Sequence, residues 1–206
     1  MHALIRCATL AAALLFAHFA WAVIPAPIEA PAGTYVLEKT HASLHWRIRH
    51  MGLSNYTARF KRFDATVQFD PVDLSRSSVQ ASIDVGSLET DLTTPDFNAE
   101  LRGEPFFNVV RFPRATFSSK QVALTGPQSM RVLGDLTLLG VTRPVTLEVV
   151  LNGSMKNHPF AKVPALGFSA MATITRSAFG LNPPPLREGV GDEVELLIEA
   201  ELLKQP

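Results

Sequence analysis

The chain holds a single cysteine, Cys7, near its N-terminus, so neither a disulfide framework nor a cysteine-based metal site can be built from it. Tryptophan and tyrosine are scarce, two of each, too few for the aromatic girdles of an outer-membrane barrel. Net charge is lacking as well: 19 Lys and Arg balance 19 Asp and Glu. With no basic block and no basic aromatic stripe, nothing points to a nucleic-acid partner. Nucleophile elbows, Gly-rich phosphate loops and HExxH motifs are missing, as are heptads, low-complexity tracts and internal repeats.

The one long apolar run lies at the start. Residues 1–22 combine a short basic beginning (His2, Arg6), an apolar stretch through Leu14-Leu15-Phe16, and Ala20-Trp21-Ala22 as a small-x-small cleavage site. This pattern predicts a secretory signal peptide and hence a periplasmic protein. A membrane anchor fits less well, because the run is short, His18 interrupts it and Pro25, Pro27 and Pro31 follow. No integral span is then expected once the leader is cut. Removing 22 of 206 residues leaves 184, with 18 basic and 19 acidic side chains and no cysteine. One domain of that size buries about 70% of its unfolded surface. Residues 23–33, VIPAPIEAPAG, are expected to form an extended, poorly ordered Pro/Ala linker, and residues 34–206 the single folded domain.

That domain reads as strands in series. From Met130 to Leu151 apolar side chains alternate, Met130, Val132, Gly134, Leu136 and Leu138, then after Leu139-Gly140 Val145, Leu147, Val149 and Leu151. Period two with a glycine at the break predicts an antiparallel hairpin with one apolar face. The same period gives Leu44, Trp46 and Ile48 with His50 on their side, then Tyr56, Ala58 and Phe60. Phe63, Ala65, Val67 and Phe69 have the opposite parity, and a β-bulge at Lys61-Arg62 is the expected cause. Val79 to Val85 (with Ala81 and Ile83), Ala115 to Leu124 (with Phe117), Phe168 to Ile174 (with Ala170 and Ala172) and Val194 to Leu202 complete eight or nine strands. Asn152-Gly153 reads as a further hairpin turn. The one expected helix follows Thr94-Pro95, N-cap and first turn, and covers Asp96 to Leu101 before Gly103; its Phe97 and Leu101, with Phe106 and Phe107, read as a plug under a barrel end.

Serial antiparallel strands with so little helix predict an all-β sandwich or a closed up-and-down barrel, and the barrel is favoured because closure removes exposed edges. Charged residues on the polar parity, such as Arg47, Arg49, Glu195 and Glu199, belong outside, which puts the apolar face inside. Eight strands enclose either a filled core or room for one small ligand. Large inward residues alternate with small ones (Ala58, Ala65, Ala81, Ala115, Gly134, Ala170, Ala172), and both outcomes stay open: interdigitated rings, or a dry cavity suited to a lipid-like molecule. Catalytic patterns are weak. His41 and His45 share a face but lie roughly 13 Å apart along a strand, too far for one metal. His50, on the apolar side, reads as a hydrogen-bonded core histidine, or as one that orients a polar ligand head.

A set of ordered motifs runs through the domain: Thr40-His41-Ala42-Ser43, His50-Met51-Gly52-Leu53-Ser54, Arg59-Phe60 with Phe63-Asp64-Ala65, Pro105-Phe106-Phe107-Asn108-Val109, Phe112-Pro113-Arg114-Ala115, Gly134 through Val145, Gly167-Phe168-Ser169-Ala170, Arg176-Ser177 and Phe179-Gly180. In these the chain resembles the YceI-like family of polyisoprenoid-binding periplasmic proteins. The resemblance implies an eight-stranded lipocalin-like barrel, extended by a helix, whose apolar tunnel takes a polyisoprenoid or isoprenoid quinone, with no other cofactor and no metal. It departs from the family pattern at Phe97-Asn98, where a charged pair is usual, and at Ala178, where the loss of an acidic residue takes a partner from Arg176. On this reading the lipid would be lined by Leu44, Trp46, Ile48, His50, Tyr56, Phe60, Phe63, Ala81, Ile83, Phe117, Leu136, Leu138, Phe168, Ala170 and Ile174. The long connections Met155 to Leu166 and Leu181 to Gly191 would sit at the barrel rims. The expected role is binding for transport or storage rather than catalysis; the alternatives are a carrier domain for a membrane redox partner and a small hydrolase-like enzyme using His50, and a homodimer stays open.

Overall fold

The computed structural model describes residues 27–92, 95–184 and 188–206; the expected leader, the first part of the linker and the Thr94 cap lie outside them. Ten strands form one antiparallel sheet: β1 (Gly33–His50), β2 (Ser54–Phe60), β3 (Phe63–Phe69), β4 (Ser78–Asp84), β5 (Leu88–Glu89), β6 (Arg114–Leu124), β7 (Ser129–Leu138), β8 (Val141–Met155), β9 (Ala165–Thr175) and β10 (Val190–Lys204), with one α-helix, α1 (Pro95–Arg102). Eight of them close a ring in the order β1-β3-β4-β6-β7-β8-β9-β10, and β10 pairs back onto β1. The two others, β2 and the short β5, extend the wall beside β1. The expected eight-stranded antiparallel barrel is thus the observed fold.

The predicted β7–β8 hairpin forms, with Leu138 opposite Val141 and Met130 opposite Val149. Its two turn residues, Leu139 and Gly140, have φ of 52° and 75°, the twist a two-residue connection needs. The parity change at Lys61-Arg62 is real, but its cause is a corner between two strands, not a bulge within one. β2 runs along the second half of β1, Ser54 to Phe60 against His50 to Leu44; β3 runs along the first half, Val67 opposite Tyr35. At the corner the main chain turns aside, Lys61 N–H donating to Ser87 O and Arg62 N–H to Ser87 Oγ.

β1 bends at the matching point. Between Glu38 opposite Glu201 and Ser43 opposite Glu199, the residues Lys39 to Ala42 face Ala200 alone. The Glu38 carboxylate closes that bend, accepting from the Thr40 N–H at 3.2 Å and the His41 N–H at 2.9 Å. Inward parity therefore shifts on β1 too, from Tyr35 and Leu37 to Leu44, Trp46 and Ile48, and both strands keep their apolar sides inside.

Two further expectations are corrected. Asn152-Gly153 is no turn; it lies within β8, where the register with β9 slips between Leu151 and Gly153. The end of the expected linker is packed rather than loose: Ala30 is buried, and Ser154 Oγ accepts from Glu29 N–H at 2.7 Å. Tyr35, whose hydroxyl donates to Pro31 O at 2.7 Å, ties the same segment to the start of β1. Burial there pushes the Tyr35 hydroxyl above its ordinary pKa.

The outer face carries cross-strand ion pairs in direct register, Arg47 with Glu195, Arg59 with Glu89, and Arg131 with Glu148. Charge outside and apolar side chains inside is the reverse of a lipid-facing barrel.

Candidate functional site

The barrel is not filled. Its interior encloses a cavity of about 480 Å³, within the range of roughly 300–1,000 Å³ typical of ligand sites. The structure brings together all fifteen residues named from the sequence in the wall of this cavity. Leu44, Trp46, Ile48 and His50 come from β1, Tyr56 and Phe60 from β2, Phe63 from β3, and Ala81 and Ile83 from β4. Phe117 comes from β6, Leu136 and Leu138 from β7, and Phe168, Ala170 and Ile174 from β9. Inward-facing Ala81 and Ala170 are only half-buried although they point into the barrel, which is what a hollow interior produces.

Not every small residue makes room. Gly134 is occupied by its neighbour: a Cβ there would lie 2.8 Å from Phe117 Cε2, and closer still to Phe117 Cζ and Ser118 O. There the Phe117 ring takes the place of a side chain, while the alanines at 65, 81 and 170 border open space.

Sequence reasoning missed several wall residues. Leu147, Val149, Leu196, Ile198 and Ala200 line the cavity, and the same alternation that found their neighbours marks them. Phe97, Leu101, Phe106 and Phe107, expected as a plug, also line the cavity; the Phe107 ring meets Phe60 edge-on at 5.8 Å. Only their tertiary placement reveals this. Asn98 beside them does structural work, its Oδ1 accepting from Thr90 N–H and Oγ1–H at 2.9 and 2.8 Å.

Among the described residues, Arg176 is the one charged group deeply buried in this wall, 3% exposed. The expectation that Ala178 deprives it of a partner is overturned. Its Nε donates to Gly191 O (2.9 Å), Nη1 to Leu181 O (2.7 Å) and Nη2 to Val190 O (3.2 Å), and Asp192 stands 3.9 Å from Nε. The Asp192 carboxyl is held below its usual pKa first by the Ser177 hydroxyl, which donates to it at 2.6 Å. Arg176 therefore fastens the β9–β10 connection with donors directed at main-chain carbonyls.

His50 does not behave as a core histidine. It is exposed, at the edge of the cavity, and its ring has no hydrogen-bond partner among the described residues. Two other polar groups of the wall are dry: Trp46 Nε1 and Tyr56 Oη are buried and have no hydrogen-bond partner among the described residues. Each such group costs about 1–3 kcal/mol. Among the described residues, no group of three His, Cys, Asp or Glu converges as a metal site.

Residues 35–202 match the YceI-like domain family. The chain belongs to that family. A YceI protein of Salmonella arizonae is 36% identical over 179 residues, 86% of this chain and 90% of that one. Among solved structures, BcnA of Burkholderia cenocepacia is similar with a TM-score of 0.69 at 27% identity, covering 80% of this chain and 98% of BcnA. A polyisoprenoid binding domain from Saccharophagus degradans has the same fold, with a TM-score of 0.59 at 14% identity, over 84% of this chain and 99% of that domain. In this YceI-like barrel the motif Thr40-His41-Ala42-Ser43 is the bend of β1, and Arg176-Ser177 is the fastening of the β9–β10 connection. Both shape the wall.

Proposed function

We propose that the processed protein is a soluble periplasmic carrier that holds a long-chain isoprenoid lipid, such as an isoprenoid quinone, inside its barrel for transport or storage. The observation that carries this reading is the cavity: about 480 Å³ walled almost wholly by aliphatic and aromatic side chains in a barrel that could have been packed solid. Burying ten methylene-sized groups at ~0.8 kcal/mol each contributes ~8 kcal/mol before immobilisation costs, enough for useful affinity without any ion pair. The name of the Saccharophagus domain is consistent with such a ligand.

The same wall supports binding over catalysis. Arg176 is engaged by carbonyls, and His50 stands exposed without a partner that would orient it as a base. The leader pattern at residues 1–22 supports export.

The test is native mass spectrometry of protein purified from the periplasm, followed by solvent extraction and identification of what it carried. A stoichiometric isoprenoid is the expected result. A clean apo mass that persists after exposure to membrane lipids would sink the proposal.

A further inference from the structure

This inference goes beyond the lipid-carrier reading and rests on the β8–β9 connection, not on the cavity. We propose that this connection is a membrane anchor: Phe160 enters the interface of a phospholipid bilayer, and Lys156, Lys162 and Lys204 hold anionic head groups around it.

Phe160 is 87% exposed. A lone apolar side chain in water needs no explanation in itself, but this one is presented by an ordered turn. His158 N–H donates to Val163 O at 2.8 Å and Lys162 N–H to His158 O at 2.9 Å. The His158 ring lies inside the turn, its Nδ1 accepting from Ala161 N–H at 3.1 Å. Lys162 has a φ of 59°, a left-handed conformation that glycine adopts far more easily. The turn keeps a long basic side chain there in spite of that.

Charge marks the same place. The six lysines of the chain fall into two sets. Lys39, Lys61 and Lys120 pair with Asp64, Glu89 and Asp135. Lys156, Lys162 and Lys204 form no ion pair among the described residues, and no acidic residue occurs between Glu148 and Glu188. Lys204 adjoins the turn, its N–H donating to Pro164 O at 2.9 Å. Carboxylates on the adjoining segments are Glu29, whose N–H is bound by Ser154, and Glu201, 3.9 Å from the His41 ring.

One ring and three ammonium groups are far too little for a stable protein interface, which takes about 800 Å² from each partner. They are what an interfacial anchor needs: an apolar group that sinks to the acyl boundary and cations that meet lipid phosphates. The position suits a carrier. Strand pairing puts Gly33, Phe69, Ala165 and Lys204 at one end of the barrel, and Leu74, Ser77 and Ser78, which follow Phe69, belong to the cavity wall. Docking through Phe160 therefore turns that end of the cavity towards the bilayer.

The test is flotation of protein purified from the periplasm with phosphatidylcholine vesicles, with and without added phosphatidylglycerol. The parent should float with the anionic vesicles and lose most of that binding at high salt. Phe160→Ser should weaken it about tenfold or more, and Phe160→Trp should retain it. Lys156→Gln and Lys162→Gln should each weaken it about fivefold. Melting temperatures should match the parent's, because these side chains stand in water.

Failure of the parent to bind anionic vesicles, equal binding to both kinds of vesicle, or binding unmoved by Phe160→Ser and by the lysine variants would overturn the anchor and leave the carrier reading standing. A cross-link from position 160 to an acidic protein, without vesicle binding, would overturn it too. A parent that floats through Phe160 yet carries no lipid by native mass spectrometry, even after exposure to membranes, would uphold the anchor and remove the carrier reading.

Discussion

Arg176 shows how a charge survives in an apolar wall. Its guanidinium fork meets three main-chain carbonyls, Leu181 in the β9–β10 connection and Val190 and Gly191 at the start of β10, a geometry that an ammonium cannot copy. Arg176→Ala strands those carbonyls and should cost about 3 kcal/mol or more; Arg176→Lys should recover only part. Urea unfolding checks both, as a lowered midpoint with an unchanged slope. Glu38 is a second residue whose role is local. Its carboxyl is held down to about 2, first by the Thr40 hydroxyl that donates to it. Because the folded value lies below the unfolded value of about 4.3, its contribution is complete above that pH and is lost as pH falls towards 2. Glu38→Gln should therefore melt lower than the parent at neutral pH, with the difference shrinking through that window and vanishing below it. A gap that stays constant with pH would show that the bend of β1 does not depend on the charge.

Strands decide where the cavity is, and one strand position decides where it is not. Gly134 on β7 lies beneath the Phe117 ring, so Gly134→Ala forces that ring to move and should cost about 1–3 kcal/mol, read as a lower urea midpoint. Ala170 on β9 faces the cavity, so Ala170→Trp has space to enter and should lose less than about 1.5 kcal/mol while abolishing lipid binding. Equal loss of stability at both sites would mean that the barrel is packed. Alternation made the inward faces legible: period two placed Trp46, Phe117 and Ala170 on the inside without any coordinates. It could not separate Gly134 from Ala170, since both are small and inward, and only the path of the Phe117 ring distinguishes them. Nor could it read the corner. Lys61-Arg62 looks like one extra residue pair, yet the cause is long-range, the matching bend of β1 and the hydrogen bonds to Ser87. Asn152-Gly153 carried a strong local turn signal that the tertiary pairing of β8 with β9 overrode. Arg176 was misread because its partners are main-chain carbonyls, which no side-chain pattern marks.

At the scale of the molecule, ring closure and the cavity are linked. Pairing of β10 with β1 leaves no open edge in the ring, and main-chain hydrogen bonds around the circumference hold the wall in shape. The barrel can then forgo packing in its interior, and a ligand that fills that space adds contacts the fold itself lacks. A lipid bound to the folded state alone, at a hundredfold excess over its Kd, adds about 2.7 kcal/mol. For a domain of this size that is a rise in Tm of about 5–10 °C. Detergent alone at the same concentration should give no comparable rise, and the Ala170→Trp variant should give none with either. A lipid-induced rise that persists in Ala170→Trp would place the binding surface on the outside of the barrel, where the ion pairs between Arg47 and Glu195 and between Arg131 and Glu148 lie; dependence on salt would then separate that outcome from interior binding, which salt screens little.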